Sequence, residues 1–125
     1  MERGIACVKG ESHRVEIEVG GHLLAAQAPA SGNGAVPSQY ELLLASLAAC
    51  TALTLRQFAA DQRWPLASLD VYVTLECEPE GVHVDRMLFV TGLDRERQEV
   101  LLKLASGTPL TLLLGSGMSI STILI

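Results

Sequence analysis

The chain has 125 residues, of which 49% are hydrophobic but only 4% aromatic, and a formal net charge of −5. This length predicts one domain spanning residues 1–125, and the acidic charge excludes the basic surface that is typical of nucleic-acid-binding proteins. The 21 leucines and 14 alanines have more aliphatic surface in total than a chain of this size can bury by itself. The composition therefore favours an apolar interface between subunits.

The cysteines and the N-terminus indicate the compartment. Cys7, Cys50 and Cys77 form no Cys-x-x-Cys pair and no zinc-spaced cluster with histidine. The first nine residues lack the apolar stretch of a secretory signal, and the longest uncharged apolar run, 42–55, is shorter than the ~20 residues that span a bilayer. We therefore expect a cytoplasmic protein with reduced thiols, no membrane partner, and no metal or other cofactor.

The N-terminal part predicts a small antiparallel sheet. Apolar and acidic residues alternate over residues 14–19, which is typical of a half-buried strand. Gly20-Gly21 has the composition of a two-residue hairpin turn, and it predicts a partner strand over residues 22–27. Residues 4–9 can form a further strand, and the small residues and prolines over 28–37 predict a loop.

A long helix is predicted over residues 39–62. Ser38 and Glu41 have the spacing of a capping box, and no Gly or Pro follows until Pro65. The side chains after Glu41 are apolar on all sides of the helix, whereas a surface helix would show a polar stripe. We therefore expect this helix to be buried on every side, with a second subunit covering one face.

The C-terminal half predicts a hairpin, two helices and a last strand. Asp94 and Thr108 are suitable N-cap residues, and Pro109 suits a first helical position. The order of elements predicts an α+β fold with mainly antiparallel sheets. The predicted elements are strands over 69–77 and 82–91, helices over 95–105 and 109–114, and a closing strand over 118–125.

Cys50 is the most informative candidate for chemistry. It lies within the apolar helix, with Ser46 and Thr54 one turn away on the same face. By composition alone, such a thiol is more often a packing residue than a nucleophile. Because apolar surroundings disfavour a thiolate, a reactive Cys50 needs a cation nearby, and Arg14 and Arg86 are the candidates.

Arg86 shares its strand face with valines and a leucine. It either caps the open end of the strand or points into a polar pocket, and the sequence leaves both alternatives open. The histidines at positions 13, 22 and 83 are too scattered along the chain to predict a shared metal site.

Residues 40–56, Tyr-Glu-Leu-Leu-Leu-Ala-Ser-Leu-Ala-Ala-Cys-Thr-Ala-Leu-Thr-Leu-Arg, resemble the central-helix signature of the OsmC/Ohr family of osmotically inducible and organic hydroperoxide resistance proteins. The flanking segments 22–26, 64–66 and 91–94 agree with it, and the resemblance covers residues 12–124. It implies an intertwined homodimer of α+β subunits, in which antiparallel sheets surround a long buried central helix and the active sites lie at the subunit interface.

The resemblance also implies thiol-dependent reduction of organic hydroperoxides in oxidative-stress defence. Cys50 matches the peroxidatic position, and an external thiol or dithiol would restore it after oxidation. The family's Arg and Glu help to hold the thiolate, and Arg14 and Glu41 are the candidates for these roles. Glu41 is nine residues before Cys50, where the peroxidase branch has its Glu ten before, so the two side chains point to opposite faces of a continuous helix. Its capping role is a sufficient explanation of Glu41.

Thr108 departs from the family pattern. The family's resolving Cys directly precedes a proline, and Thr108 holds that position before Pro109. Because Thr cannot form a disulfide, the resemblance implies either an enzyme with a single reactive Cys or a catalytically degenerate dimer that binds an apolar small molecule. Cys77 is predicted to pack on the apolar face of its strand, and the sequence does not assign the face of Cys7.

Overall fold

A computed structural model of the chain describes residues 3–8, 14–28 and 34–125. His13 and much of the predicted loop, residues 29–33, lie outside the described residues. The chain divides into two compact units, residues 1–45 and 46–125. The elements form the predicted α+β fold with antiparallel sheets and one long helix. They are β1 (Gly4–Cys7), β2 (Arg14–Val19), β3 (His22–Gln27), α1 (Gln39–Asp61), β4 (Ser68–Glu78), β5 (Gly81–Thr91), α2 (Arg95–Ala105) and α3 (Pro109–Ser116).

The first unit contains an antiparallel sheet with the strand order β1-β2-β3. Gly20 and Gly21 connect β2 to β3 with φ angles of 55° and 81°, the left-handed conformation that a two-residue hairpin turn of this kind requires. The predicted hairpin is therefore confirmed. The capping box is confirmed as well: the Ser38 N–H donates to Glu41 Oε1 at 3.0 Å, and the Glu41 N–H donates to Ser38 Oγ at 3.1 Å.

Helix α1 is continuous over 23 residues, but it is not buried on every side within this chain. The buried residues fall at intervals of four and form one stripe, whereas Leu43 and Leu53 are 39% and 57% exposed. A single small chain covers only one side of a helix, and the prediction that a second subunit covers another face stays a prediction. The buried stripe consists of Leu47, Thr51, Leu55 and Ala59.

By length and composition, α1 is also long and apolar enough to cross a membrane. The uncharged run of 14 residues considered above is shorter than the helix because the charged residues Glu41 and Arg56 bound it, and the helix continues past both of them. The core helix of a soluble protein meets the same criterion. Because α1 supplies a buried stripe to this fold, we treat it as a core helix.

The second unit is built from a long hairpin and two helices. Strands β4 and β5 pair antiparallel from Ser68 opposite Thr91 to Glu78 opposite Gly81. Helix α2 spans the predicted residues, and Asp94 caps it by accepting a hydrogen bond from the Arg97 N–H at 2.9 Å. The buried core of this unit consists of Leu55, Leu93, Leu101 and Ala105.

Gly92 follows β5 at a place where no other residue fits. Its φ is +94°, and a Cβ atom there would lie 2.5 Å from the Pro65 carbonyl oxygen and 2.6 Å from the Ala67 nitrogen. A side chain at this position would therefore meet backbone as well as an unfavourable dihedral angle. The close approach holds the end of the hairpin against the segment that follows α1.

Three local predictions were wrong. Residues 118–125 form no strand, because no strand among the described residues pairs with them; Ile120 and Ile123 are 79% and 83% exposed. Helix α3 continues two residues past its predicted end, to Ser116. Cys77 is exposed rather than packed, because it lies beside the turn of the hairpin, opposite the exposed Val82.

Candidate functional site

Cys50 lies on α1 and is half-buried, whereas Cys7 and Cys77 are both exposed. Within the described part of the chain, no side chain forms a hydrogen bond with the Cys50 thiol. The next residue, Thr51, is fully buried in the stripe of α1. Its hydroxyl donates to the Leu47 carbonyl oxygen at 2.8 Å. This bond fixes the rotamer of the Thr51 side chain.

Arg86 points into a polar pocket, which decides between the two alternatives left by the sequence. It lies on the inward side of β5, and its Nη1 donates to Thr51 Oγ1 at 3.0 Å and to Thr111 Oγ1 at 2.7 Å. Its Nη2 donates to the Ala105 carbonyl oxygen at 2.6 Å. Ala105 is the last residue of α2, so this carbonyl has no partner within the helix and carries part of its negative dipole.

Thr108 is 1% exposed and joins the same group. Its hydroxyl donates to the Ala105 carbonyl oxygen at 3.2 Å and lies 2.7 Å from Thr111 Oγ1. Since its one proton goes to Ala105, the Thr111 hydroxyl is the donor to Thr108, and it remains an acceptor for Arg86. Thr108 is the N-cap of α3 by its backbone, but its side chain forms no capping hydrogen bond. The prediction that Thr108 is the N-cap of α3 is confirmed, and its hydroxyl forms hydrogen bonds with Ala105 and Thr111 instead of capping the helix.

We call Thr51, Arg86, Thr108 and Thr111 the arginine–hydroxyl cluster. It links the residue next to Cys50 with the position where the resemblance places a resolving Cys. The cluster borders a cavity of about 280 Å³, and in the described residues no carboxylate forms an ion pair with Arg86. The cavity is lined by Leu47, Val84, Arg86, Thr111, Leu114 and Gly115.

The other two predicted site residues belong to the first unit. Glu41 uses a carboxylate oxygen in the capping box of α1. Arg14 is exposed at the start of the middle strand of its sheet. Arg14 lines an open cavity of about 340 Å³ together with Cys7 and Glu16. Cys7 on β1 and Glu16 on β2 are paired across the two strands.

Sequence reasoning missed Thr51 and Thr111. A signal for them is present in the chain: Arg86 occupies an inward position of a strand whose other inward residues are apolar, so it needs acceptors from elsewhere. Thr51 is one of few hydroxyls in an apolar helix, and Thr111 is three residues after Thr108, the spacing of neighbours on a helix. The pattern indicates that partners exist but does not identify them.

Comparison with known proteins gives a consistent family and fold. The model of the OsmC family, described as OsmC-like protein, matches residues 32–122. A search of curated proteins finds no significant match.

Several solved structures have a similar fold. An organic hydroperoxide resistance protein, OsmC, from Legionella pneumophila is 23% identical, with a TM-score of 0.69 over 91% of this chain and 88% of that one. An OsmC-like protein from Mycoplasma pneumoniae is 15% identical, with a TM-score of 0.74 over 92% and 87%. The organic hydroperoxide resistance protein OhrB of Bacillus subtilis is 20% identical, with a TM-score of 0.63 over 90% and 88%. At these identities the similarity shows the fold.

Proposed function

The chain belongs to the OsmC family, and on this premise we propose that it reduces organic hydroperoxides with Cys50 as its single reactive thiol. The observation that carries the proposal is the position of Cys50 on the central helix, within the matched segment and directly before the buried Thr51. The relatives from Legionella pneumophila and Bacillus subtilis are named organic hydroperoxide resistance proteins. These names support the choice of substrate class.

The proposed reaction begins with attack of the Cys50 thiolate on the hydroperoxide. A sulfur–oxygen bond forms, the O–O bond breaks, and the alkoxide leaves and takes a proton to become the alcohol, so that Cys50 becomes a sulfenic acid. An external thiol then attacks the sulfenic sulfur, releasing water and forming a mixed disulfide. A second thiol releases reduced Cys50 together with the oxidised, disulfide form of the reductant. A dithiol supplies both steps in one molecule.

Arg14 and Glu41 are the proposed supports of the thiolate, as the family resemblance implies. Glu41 is nine residues before Cys50, which places the two on opposite faces of a continuous helix. We therefore propose that Glu41 acts on the thiolate of a partner subunit. A positive Arg14 placed near the thiolate would favour its charged form.

The proposal includes a homodimer in the cytoplasm. Large apolar side chains are exposed on α1, on α2 and in the C-terminal segment, including Leu53, Leu102 and Ile123, and such surfaces are typical of interfaces. A cytoplasmic location keeps the thiols reduced and provides the external thiol or dithiol that the reaction needs.

Consumption of cumene hydroperoxide in the presence of excess dithiothreitol tests the proposal. We expect catalytic consumption by the wild-type protein and only the background rate for Cys50→Ser. Cys77→Ser is the matched control: it also removes one thiol, and we expect it to keep the wild-type rate. A Cys50→Ser protein that consumes hydroperoxide at the wild-type rate would contradict the proposal.

Thr108 favours one alternative, a catalytically degenerate dimer that binds an apolar small molecule. It replaces the family's resolving Cys with a residue that is engaged in hydrogen bonds. If Cys50 remains reduced while a reference thiol is oxidised under the same conditions, the degenerate dimer is the better account.

A further inference from the structure

Arg86 is a cation whose donors are only partly used. A guanidinium carries five N–H donors, and three of them bind Thr51, Thr111 and the Ala105 carbonyl oxygen. Within residues 3–8, 14–28 and 34–125, nothing accepts from the remaining Nε–H and Nη2–H. All three acceptors are formally neutral, so they satisfy hydrogen bonds but leave most of the positive charge uncompensated.

The buried residues around Arg86 strengthen its attraction for an anion. Thr51 and Thr108 are fully or almost fully buried, and Leu47 and Ala105 are buried as well. Arg86 itself is half-buried, so its charge is partly removed from water and is stabilised by an anion that approaches it directly. The dipole of α2 at Ala105 compensates the charge only in part. Arg86 and Thr111 line the cavity described above.

The shape and lining of this cavity define the anion. Leu47, Val84 and Leu114 provide apolar walls, and none of the described residues that line the cavity is acidic. One guanidinium matches one negative charge, and its planar donors match a carboxylate. The volume of about 280 Å³ is near the lower end of the ~300–1,000 Å³ of ligand pockets. We infer that the cavity binds a short or medium-chain aliphatic monocarboxylate, with the carboxylate on Arg86 and the chain along the leucines.

Cys50 does not line the cavity, so binding of the ligand there does not use the thiol. The ligand needs no peroxide group. Binding is therefore measured on the reduced protein without hydroperoxide, and its result does not depend on whether Cys50 is reactive.

Titration calorimetry of the purified protein with octanoate tests the inference. We expect saturable binding, with octanol, which has the same chain length and no charge, at least tenfold weaker. Arg86→Gln should weaken octanoate binding at least tenfold. Arg95→Gln is the matched control, since Arg95 is exposed and, among the described residues, pairs with Glu99 on the surface of α2. It should bind octanoate as the wild-type protein does.

A second variant keeps the inference testable if Arg86→Gln does not fold. Gly115→Leu leaves the arginine–hydroxyl cluster intact, and a Cβ at this position meets no atom within 4 Å. Its side chain would fill part of the cavity, so we expect at least tenfold weaker octanoate binding with unchanged circular dichroism. Absence of octanoate binding to the wild-type protein, equal binding of octanol, or wild-type binding by folded Gly115→Leu would each overturn the inference.

Discussion

Thr108 keeps a structural role at the position where the family resemblance places a resolving cysteine. Its buried hydroxyl donates to the Ala105 carbonyl oxygen, which also accepts from Arg86. The end of α2 is thereby satisfied by two donors, one of them charged. Thr108 therefore supplies a polar contact that the buried carbonyl needs, but no thiol.

Thr108→Cys tests both aspects of this residue. A thiol is a weak donor, so loss of the bond to Ala105 should lower the free energy of unfolding by about 1 kcal/mol. If the cluster preserves the family geometry, the new thiol should form a disulfide with Cys50 after oxidation and increase turnover with a dithiol. Denaturant unfolding and hydroperoxide consumption measure the two effects. Thr108→Ser keeps the hydroxyl and should not increase turnover; like Thr108→Cys it loses a buried methyl group, which costs about 1 kcal/mol, so the comparison of the two isolates the effect of the thiol. A Thr108→Cys protein that forms no disulfide with Cys50 would contradict the assignment of this position.

At the scale of elements, local signals predicted most of the fold. Alternation located β2, β4 and β5, and Asp94 with the apolar spacing after it located α2, because strand and helix periods and caps are properties of short segments. The acceptors of Arg86 could not be predicted, since they come from three different helices. Residues 118–125 have the pattern of a strand, but a strand forms only beside a partner, which the pattern does not reveal.

Gly92 gives a test of how the elements are joined. Gly92→Ala would place a Cβ against the backbone of Pro65 and Ala67 at a positive φ, so we expect it to lower the free energy of unfolding by about 2 kcal/mol or more. Gly115→Ala is the matched control, because that glycine lies in α3 with free space around it. It should be neutral or stabilising by up to about 1 kcal/mol. Equal denaturant midpoints for Gly92→Ala and the wild-type protein would show that the close approach is not maintained in solution.

At the scale of the whole molecule, the exposed apolar side chains need an explanation. Four residues of α1 form the buried stripe, although its sequence is apolar on all sides, and Ile120, Ile123 and Leu124 are largely exposed. The sequence predicted an excess of apolar surface from composition alone. It could not identify what covers that surface, because the covering atoms would belong to another chain. That residues 1–125 form one OsmC-like domain stays a prediction.

We predict a homodimer from this surface, and light scattering after size exclusion tests it. We expect a mass of twice the 13.3 kDa of one chain at micromolar concentration. Replacing the exposed Ile123 with Asp should shift the protein toward the monomer if the C-terminal segment is part of the interface. A wild-type protein that stays monomeric at high concentration would contradict the dimer.

The central claim, that Cys50 is the reactive thiol, is tested most directly by locating the sulfenic acid. The reduced protein is treated with one equivalent of cumene hydroperoxide, trapped with dimedone, digested and analysed by mass spectrometry. Exposure alone would favour oxidation of Cys7 and Cys77, which are both more exposed than Cys50. We predict that the dimedone adduct forms on Cys50 first and is absent in Cys50→Ser. Adducts on Cys7 and Cys77 while Cys50 remains a free thiol would contradict the account.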